Sequence, residues 1–164
     1  SHVARRDVES AEDMLAAALA VLPDCDIFIA CAAVADYRPE QIATDKIKKK
    51  DEQLTLTLVR NPDIVATVAA AQLRPFTVGF AAETRDLLAY ARGKLERKGL
   101  DLVVANDVAA EGIGFNSDDN AVTLLWAGGE ETLPRAGKGS LARLIIERIA
   151  TRYAAARGNA VVSP

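Results

Sequence analysis

Three short apolar runs constrain the fold of this chain more than any other feature: Asp26 to Cys31, Phe76 to Phe80 and Leu100 to Ala105. Runs of this length without polar alternation read as strands covered on both faces. Such strands belong to parallel sheets, whose crossover helices supply the cover. The stretches between them carry helical spacing, so the expected fold class is α/β, an open, mainly parallel sheet with flanking helices.

The remaining elements follow from local signals. Val8 to Leu22 reads as a helix, with Ser10 and Asp13 at capping-box spacing and Ala11, Met14, Leu15, Ala18, Val21 and Leu22 on its apolar face. Residues 32–53 are irregular, polar and rich in lysine, and Leu54 to Val59 alternates as a half-exposed strand. Asn61 is expected to cap a helix with Pro62 at its first position, running to about Leu73. A further helix is expected from Glu83 or Thr84 to Lys98, stopped by Gly99. Residues 109–120 read as a glycine- and aspartate-rich loop. Ala121 to Trp126 and Glu131 to Leu133 flank Gly128-Gly129 as a hairpin. The last helix is expected from Leu141 to about Ala155, with a frayed tail after Arg157.

Composition narrows the function. The 164 residues suffice for one domain with a real core, and one domain spanning 1–164 is expected. No apolar run approaches the roughly 20 residues that span a bilayer, and no leader peptide is visible, so a cytoplasmic protein is expected. A net charge of −3 gives no general attraction to nucleic acid or anionic membranes, so any basic site is local. Cys25 and Cys31 match no C-x-x-C spacing and read as small reduced core residues. His2 is the only histidine, which argues against a histidine triad or a histidine-ligated metal.

The candidate site lies where the apolar runs end. In a parallel sheet the ends at Ala32 to Asp36, at Ala81 to Thr84 and at Asn106-Asp107 fall on one edge, where ligands of open α/β sheets bind. Ala32 and Ala33 let a backbone approach a ligand closely, and Asp36 adds one carboxylate. Lys46 to Lys50 is either a solvated loop or a flap that closes on phosphates. Asn61-Pro62-Asp63 either caps a helix or offers its N–H groups to an anion or carbonyl. Lys94 and Lys98, four apart, share a helix face. No G-x-x-x-x-G-K-[ST] is present, and Gly112-Ile113-Gly114 follows a loop rather than a strand, which disfavours a dinucleotide oxidoreductase.

Taken together, Ala32-Ala33-Val34-Ala35-Asp36-Tyr37, Lys46-Ile47-Lys48-Lys49, Asn61-Pro62-Asp63-Ile64, Val78-Gly79-Phe80-Ala81-Ala82-Glu83-Thr84, Ala105-Asn106-Asp107-Val108 and Phe115-Asn116-Ser117-Asp118-Asp119-Asn120 closely resemble bacterial phosphopantothenate–cysteine ligase. That is the synthetase part of the bifunctional coenzyme A biosynthesis flavoprotein, and the resemblance runs from about Val3 to Tyr153. It implies a Rossmann-like fold with a lysine-rich flap and a CTP-dependent ligase acting on 4′-phosphopantothenate and L-cysteine through an acyl-cytidylate. It implies CTP contacts at Ala32, Ala33, Asp36, Lys46, Pro62, Asp63, Ile64, Val65, Phe80, Lys94 and Lys98. Lys46 is then expected over the triphosphate and Asn106 facing the acyl substrate. Mg²⁺ is expected with CTP, its ligands unassigned, and FMN only in a fused decarboxylase domain. A homodimer is implied as well, and the alternating strand ending at Trp126 reads as a half-covered edge suited to it.

The chain departs from the family pattern at its start. The family's first strand, glycine-rich phosphate loop and Asn-x-Ser-Ser-Gly segment have no counterpart in residues 1–164, and the flap between Lys50 and Leu54 is short. The expectation is therefore a chain that holds most of the nucleotide site and lacks part of the acyl-substrate site. The competing reading is a nucleotide-binding module with incomplete chemistry.

Overall fold

The computed structural model describes residues 2–48, 52–83, 86–107 and 119–160. The first helix, α1 (Ala11–Val21), opens with the expected capping box. Ser10 Oγ accepts from the Asp13 N–H at 3.0 Å, and the Ser10 N–H donates to Asp13 Oδ2 at 3.1 Å. Because Ser10 is the cap, the helix starts after it and not at Val8. A 3-10 turn at Leu22–Asp24 leads into β1 (Ile27–Ala30).

The next stretch is less irregular than expected. β2 (Tyr37–Pro39) pairs antiparallel with β3 (Leu58–Arg60), while Leu54 to Thr57 lies outside any strand. Two exposed three-residue strands, carrying a proline and two arginines, give little pattern to read. α2 (Ile64–Ala69) is shorter than expected and is capped by Asp63, whose carboxylate accepts from the Ala66 N–H at 3.1 Å. β4 (Phe76–Glu83) and β5 (Leu102–Asp107) both extend past their apolar runs, so the residues expected as loops, Ala81 to Glu83 and Asn106-Asp107, are strand. Between them α3 (Leu87–Lys98) ends at Gly99, whose φ of 62° is the left-handed stop that glycine adopts without strain.

β6 (Asp119–Asn120) pairs with β9 (Ala136–Gly137), and β7 (Val122–Trp126) with β8 (Gly129–Thr132) through a tight turn in which Gly128 sits at φ 81°. α4 (Lys138–Ala160) is longer than expected at both ends. Residues 108–118, which hold most of the expected glycine- and aspartate-rich loop, lie outside the described residues.

The main sheet has the order β1-β4-β5-β7-β8. β1, β4 and β5 are mutually parallel, while β7 and β8 add antiparallel strands beyond β5. The fold is thus the expected Rossmann-like, mainly parallel α/β sheet. The strand period assigns its faces. Val103, Ala105 and Ala81 pack with Val65, Ala69, Ala91 and Leu95 of α2 and α3. Val78, Leu102, Val104 and Leu124 pack with Leu141, Ile145 and Ile149 of α4. α1 lies over α2 and Phe28.

Three expectations change with this topology. β1 is an outer strand of the sheet and is only half-buried along its length. The cysteines follow it outward: Cys25 is half-buried and Cys31 exposed, so neither is a core residue. β7 is not an edge, because it lies between β5 and β8. Trp126 is half-buried with the Arg152 guanidinium 3.3 Å from its ring centroid, so α4 occupies the surface expected to meet a partner.

Candidate functional site

Because β1, β4 and β5 are parallel, their carboxyl ends do share one edge, and their lengths shape it. β1 stops at Ala30, level with Gly79, whereas β4 and β5 run on together to Glu83 and Asp107. The chain after β1 therefore turns away while β4 continues, which leaves a notch beside Phe80 to Glu83. A crevice at the end of a parallel sheet is where ligands of such folds bind.

The loop after β1 is exposed from Ala32 to Asp36 and is held by Asn61. The Asn61 N–H donates to the Asp36 carbonyl at 2.9 Å, and its Nδ2 donates to the Ala35 carbonyl at 2.8 Å. Asn61 is thus a bridge between loops and not the expected helix cap. Pro62 correspondingly precedes the cap instead of opening the helix. Ile64 and Val65 are buried, one against α1 and the other against α3, so their side chains serve the core. What the segment 62–65 can offer a ligand is its backbone. The short α2 is no free anion site, since Asp63 occupies its cap.

Lys94 and Lys98 lie four apart on α3, and each has a partner on a neighbouring element. Lys94 Nζ donates to the Phe80 carbonyl at 2.5 Å, and Lys98 Nζ meets Asp63 Oδ2 at 2.8 Å. Burial works to raise the Asp63 carboxyl. The hydrogen bond from Lys98, the Ala66 N–H and the charges of Lys98 and Lys94 outweigh it, so the group titrates below its ordinary value. Gly79 makes room for Leu100, whose Cδ1 would lie 2.8 Å from a Cβ there, while the Lys94 stem at 3.8 Å would be in ordinary contact.

On the opposite face of the sheet, under the start of α4, lies a cleft of about 270 Å³. Phe80, Leu141, Ile145 and Ile149 make its walls apolar, and Asn106, Lys138 and Cys31 supply polar atoms. Asn106 Oδ1 is shielded from solvent and has no hydrogen-bond partner among the described residues. A buried carbonyl oxygen without a partner is costly, and a donor arriving with a ligand relieves that cost. Although Cys31 is exposed, partial desolvation by the surrounding chain raises its thiol, which keeps it protonated at neutral pH.

The structure links some of the expected residues in pairs and puts two of them in the cleft. Lys94 meets the Phe80 carbonyl, Lys98 meets Asp63, and Asn61 ties 62–65 to the loop of Ala32, Ala33 and Asp36, while Asn106 and Phe80 line the cleft. Lys46 stands apart as an exposed residue of the loop between β2 and β3, and Lys49 and Lys50 lie outside the described residues. Sequence reasoning missed the bridging role of Asn61 and the presence of Lys138 in the cleft. An Asn before Pro reads as a cap, and only the fold brings Ala35 within its reach. No group of three or more potential metal-ligating side chains occurs among the described residues, and no described helix is long and apolar enough to cross a membrane.

Comparison with known proteins adds to this geometry. Residues 1–153 match the family model described as DNA/pantothenate metabolism flavoprotein C-terminal domain. The chain is 56% identical over 153 residues to the coenzyme A biosynthesis bifunctional protein CoaBC of Vibrio vulnificus strain YJ016, covering 92% of this chain and 38% of the relative. It is 50% identical over 155 residues to the protein of the same name from Escherichia coli K12, again covering 92% of this chain and 38% of the relative. The chain thus spans well under half of the curated relatives it matches. Among solved structures, the C-terminal domain of a CoaBC bifunctional protein superposes with a TM-score of 0.71 at 34% identity, covering 90% of this chain and 65% of that one. The DNA/pantothenate metabolism flavoprotein from Streptococcus pneumoniae superposes with a TM-score of 0.72 at 24% identity, covering 89% and 72%, which speaks to the fold alone.

Proposed function

Because the chain belongs to the DNA/pantothenate metabolism flavoprotein C-terminal domain family, we propose that it is the CTP-dependent phosphopantothenate–cysteine ligase unit of a bifunctional, cytoplasmic coenzyme A biosynthesis protein. The observation that supports this reading is the shared carboxyl edge of β1, β4 and β5, where Lys94 Nζ meets the Phe80 carbonyl and Lys98 Nζ meets Asp63 Oδ2. A carboxylate is a poor electrophile, and a nucleotide activates it. The carboxylate oxygen of 4′-phosphopantothenate attacks the α-phosphorus of CTP, pyrophosphate leaves, and an acyl-cytidylate forms. The amine of L-cysteine then attacks the acyl carbon, loses a proton and expels CMP.

The protein's part in such a reaction is to position groups and neutralise charge. In this reading the backbone of 62–65 and Phe80 hold the base and sugar, and Lys94 and Lys98 supply cations. Lys98 would exchange its Asp63 partner for the nucleotide, and Lys46 would act on the phosphate tail. Asn106 faces the acyl substrate, an assignment supported by its unpartnered Oδ1 in an apolar cleft, which suits a chain carrying an amide N–H. Mg²⁺ fits as an ion brought by the triphosphate, because such ions keep water and phosphate oxygens as most of their ligands. Asp36, which is exposed, would take part in holding it in this reading. FMN belongs to the fused decarboxylase unit. Calorimetry in the presence of Mg²⁺ is expected to show CTP bound more tightly than ATP, and the reverse order would overturn the pyrimidine assignment.

A homodimer belongs to the same proposal. Its support lies on the flap, where Leu54, Leu56, Leu58, Tyr37 and Ile47 are each more than half exposed, an unusual density of large apolar side chains for a free surface. Light scattering at tens of micromolar is expected to give twice the chain mass, and a monomer at that concentration would reject the dimer.

A further inference from the structure

We infer that Asn61, steadied by Arg38, is a positioning residue that fixes the Asp36 loop against the segment 62–65 and closes the base of the flap. As a statement about nucleotide binding, it rests on the reading proposed above. β2 begins directly after Asp36, and β3 ends directly before Asn61, with Tyr37 paired to Arg60. The two loops of the notch are therefore also the two feet of the flap that carries Lys46. Without a tie at this point, a two-stranded ribbon of three-residue strands would leave the feet free to move apart.

Asn61 supplies that tie with three groups. Its backbone N–H holds the Asp36 carbonyl at 2.9 Å, its Nδ2 holds the Ala35 carbonyl at 2.8 Å, and its Oδ1 accepts from Arg38 Nη1 at 3.4 Å. The amide orientation is fixed from both sides, because a carbonyl must face Nδ2 and a guanidinium must face Oδ1. Arg38 also donates to the Arg60 carbonyl at 2.7 Å and pairs with Glu12 of α1 at 2.5 Å. The flap's base is thus anchored to a helix already packed on the core. Arg38 is the anchor, Asn61 is the link, and Asp36 and 62–65 are what the link keeps in register. A displacement on the order of 1 Å between such groups is enough to change catalysis severely.

Asn61→Asp tests this sharply. It keeps the size of the side chain and an acceptor for Arg38, and it removes the donor to Ala35 by setting two acceptor oxygens face to face. It also adds one negative charge, so Asn61→Leu, which removes the donor without the charge, is the paired variant and should weaken CTP as well. CTP affinity is expected to fall roughly tenfold, about what one lost hydrogen bond with repulsion added is worth, while the thermal midpoint stays near that of the parent protein. In a double-mutant cycle with Asp36→Asn the two losses should be non-additive, since Asn61 acts through the loop that carries Asp36. Backbone hydrogen exchange at Asn61 and across 35–38 should quicken in Asn61→Asp with no nucleotide present. Unchanged exchange, full CTP affinity, or additive losses would each overturn the inference. Failure of the parent protein to bind CTP would instead overturn the nucleotide reading and leave the latch to be judged on exchange alone. Should Asn61→Asp not fold, Arg38→Gln carries the test, with weaker CTP binding and faster exchange expected and parental values of either overturning it.

Discussion

Replacing Lys46 by alanine is expected to weaken CTP by about tenfold to a hundredfold and CMP far less. The size follows from one charge-assisted contact, worth roughly 1.5–3 kcal/mol. The selectivity follows from place. Lys46 is exposed on the loop between β2 and β3, beyond the latched base of the flap, with a flexible stem and a point charge. The base and sugar are read in the proposed site by Phe80, the backbone of 62–65 and the α3 lysines. A cation coming from the flap then has the β- and γ-phosphates left to meet. The loss should shrink at high salt, because an exposed charge is screened. Equal weakening of CTP and CMP would move Lys46 off the phosphate tail, and no weakening of either would remove it from the site.

The sheet and the edge at which its parallel strands end were legible because they rest on patterns that depend on neighbours in sequence. The run from Phe76 to Phe80 has few alternatives to a covered strand, and Gly99 at φ 62° ends α3 where a glycine would be expected to. What was not legible depends on contacts between distant segments. Asn61 before Pro62 carries every local sign of a cap, yet Asp63 takes that role and Asn61 reaches back to Ala35, a choice settled only once β2 and β3 pair. Phe80 and Val104 sit in register, so β4 and β5 continue together through Ala82 and Asn106 after hydrophobicity has faded, held by the ladder itself. Residues that looked like loops thus became strand ends. Asn106 lies in the α4 cleft for the same reason, since its parity with Leu102 and Val104 assigns its face. The reading of β7 failed differently. Its alternation suggested a half-covered edge, but β8 pairs along β7 and Arg152 of α4 covers Trp126, contacts that the strand's own pattern does not announce.

Leu124→Ala is expected to destabilise the protein by about 2–5 kcal/mol, the range for a leucine truncated in a closed core. Leu124 is fully buried on β7, paired with Val104 on one side and Glu131 on the other, and it packs with Leu141 and Ile145 of α4. Backbone hydrogen bonds to both neighbours and a helix above leave little freedom for the site to collapse around the lost methyl groups, so a cavity remains and the cost lies above the bare transfer value. For a chain of this size each kcal/mol corresponds to about 2–4 °C in melting midpoint. Urea unfolding should show a lower midpoint with an unchanged slope, as expected when stability changes but the surface exposed on unfolding does not. Ile146→Ala, on the same helix but 54% exposed, is the matched control and should cost far less. If Leu124→Ala lost under about 1 kcal/mol, its side chain would have to lie at a yielding, half-covered edge, and the interior place of β7 would be wrong together with the cleft that α4 forms over Asn106.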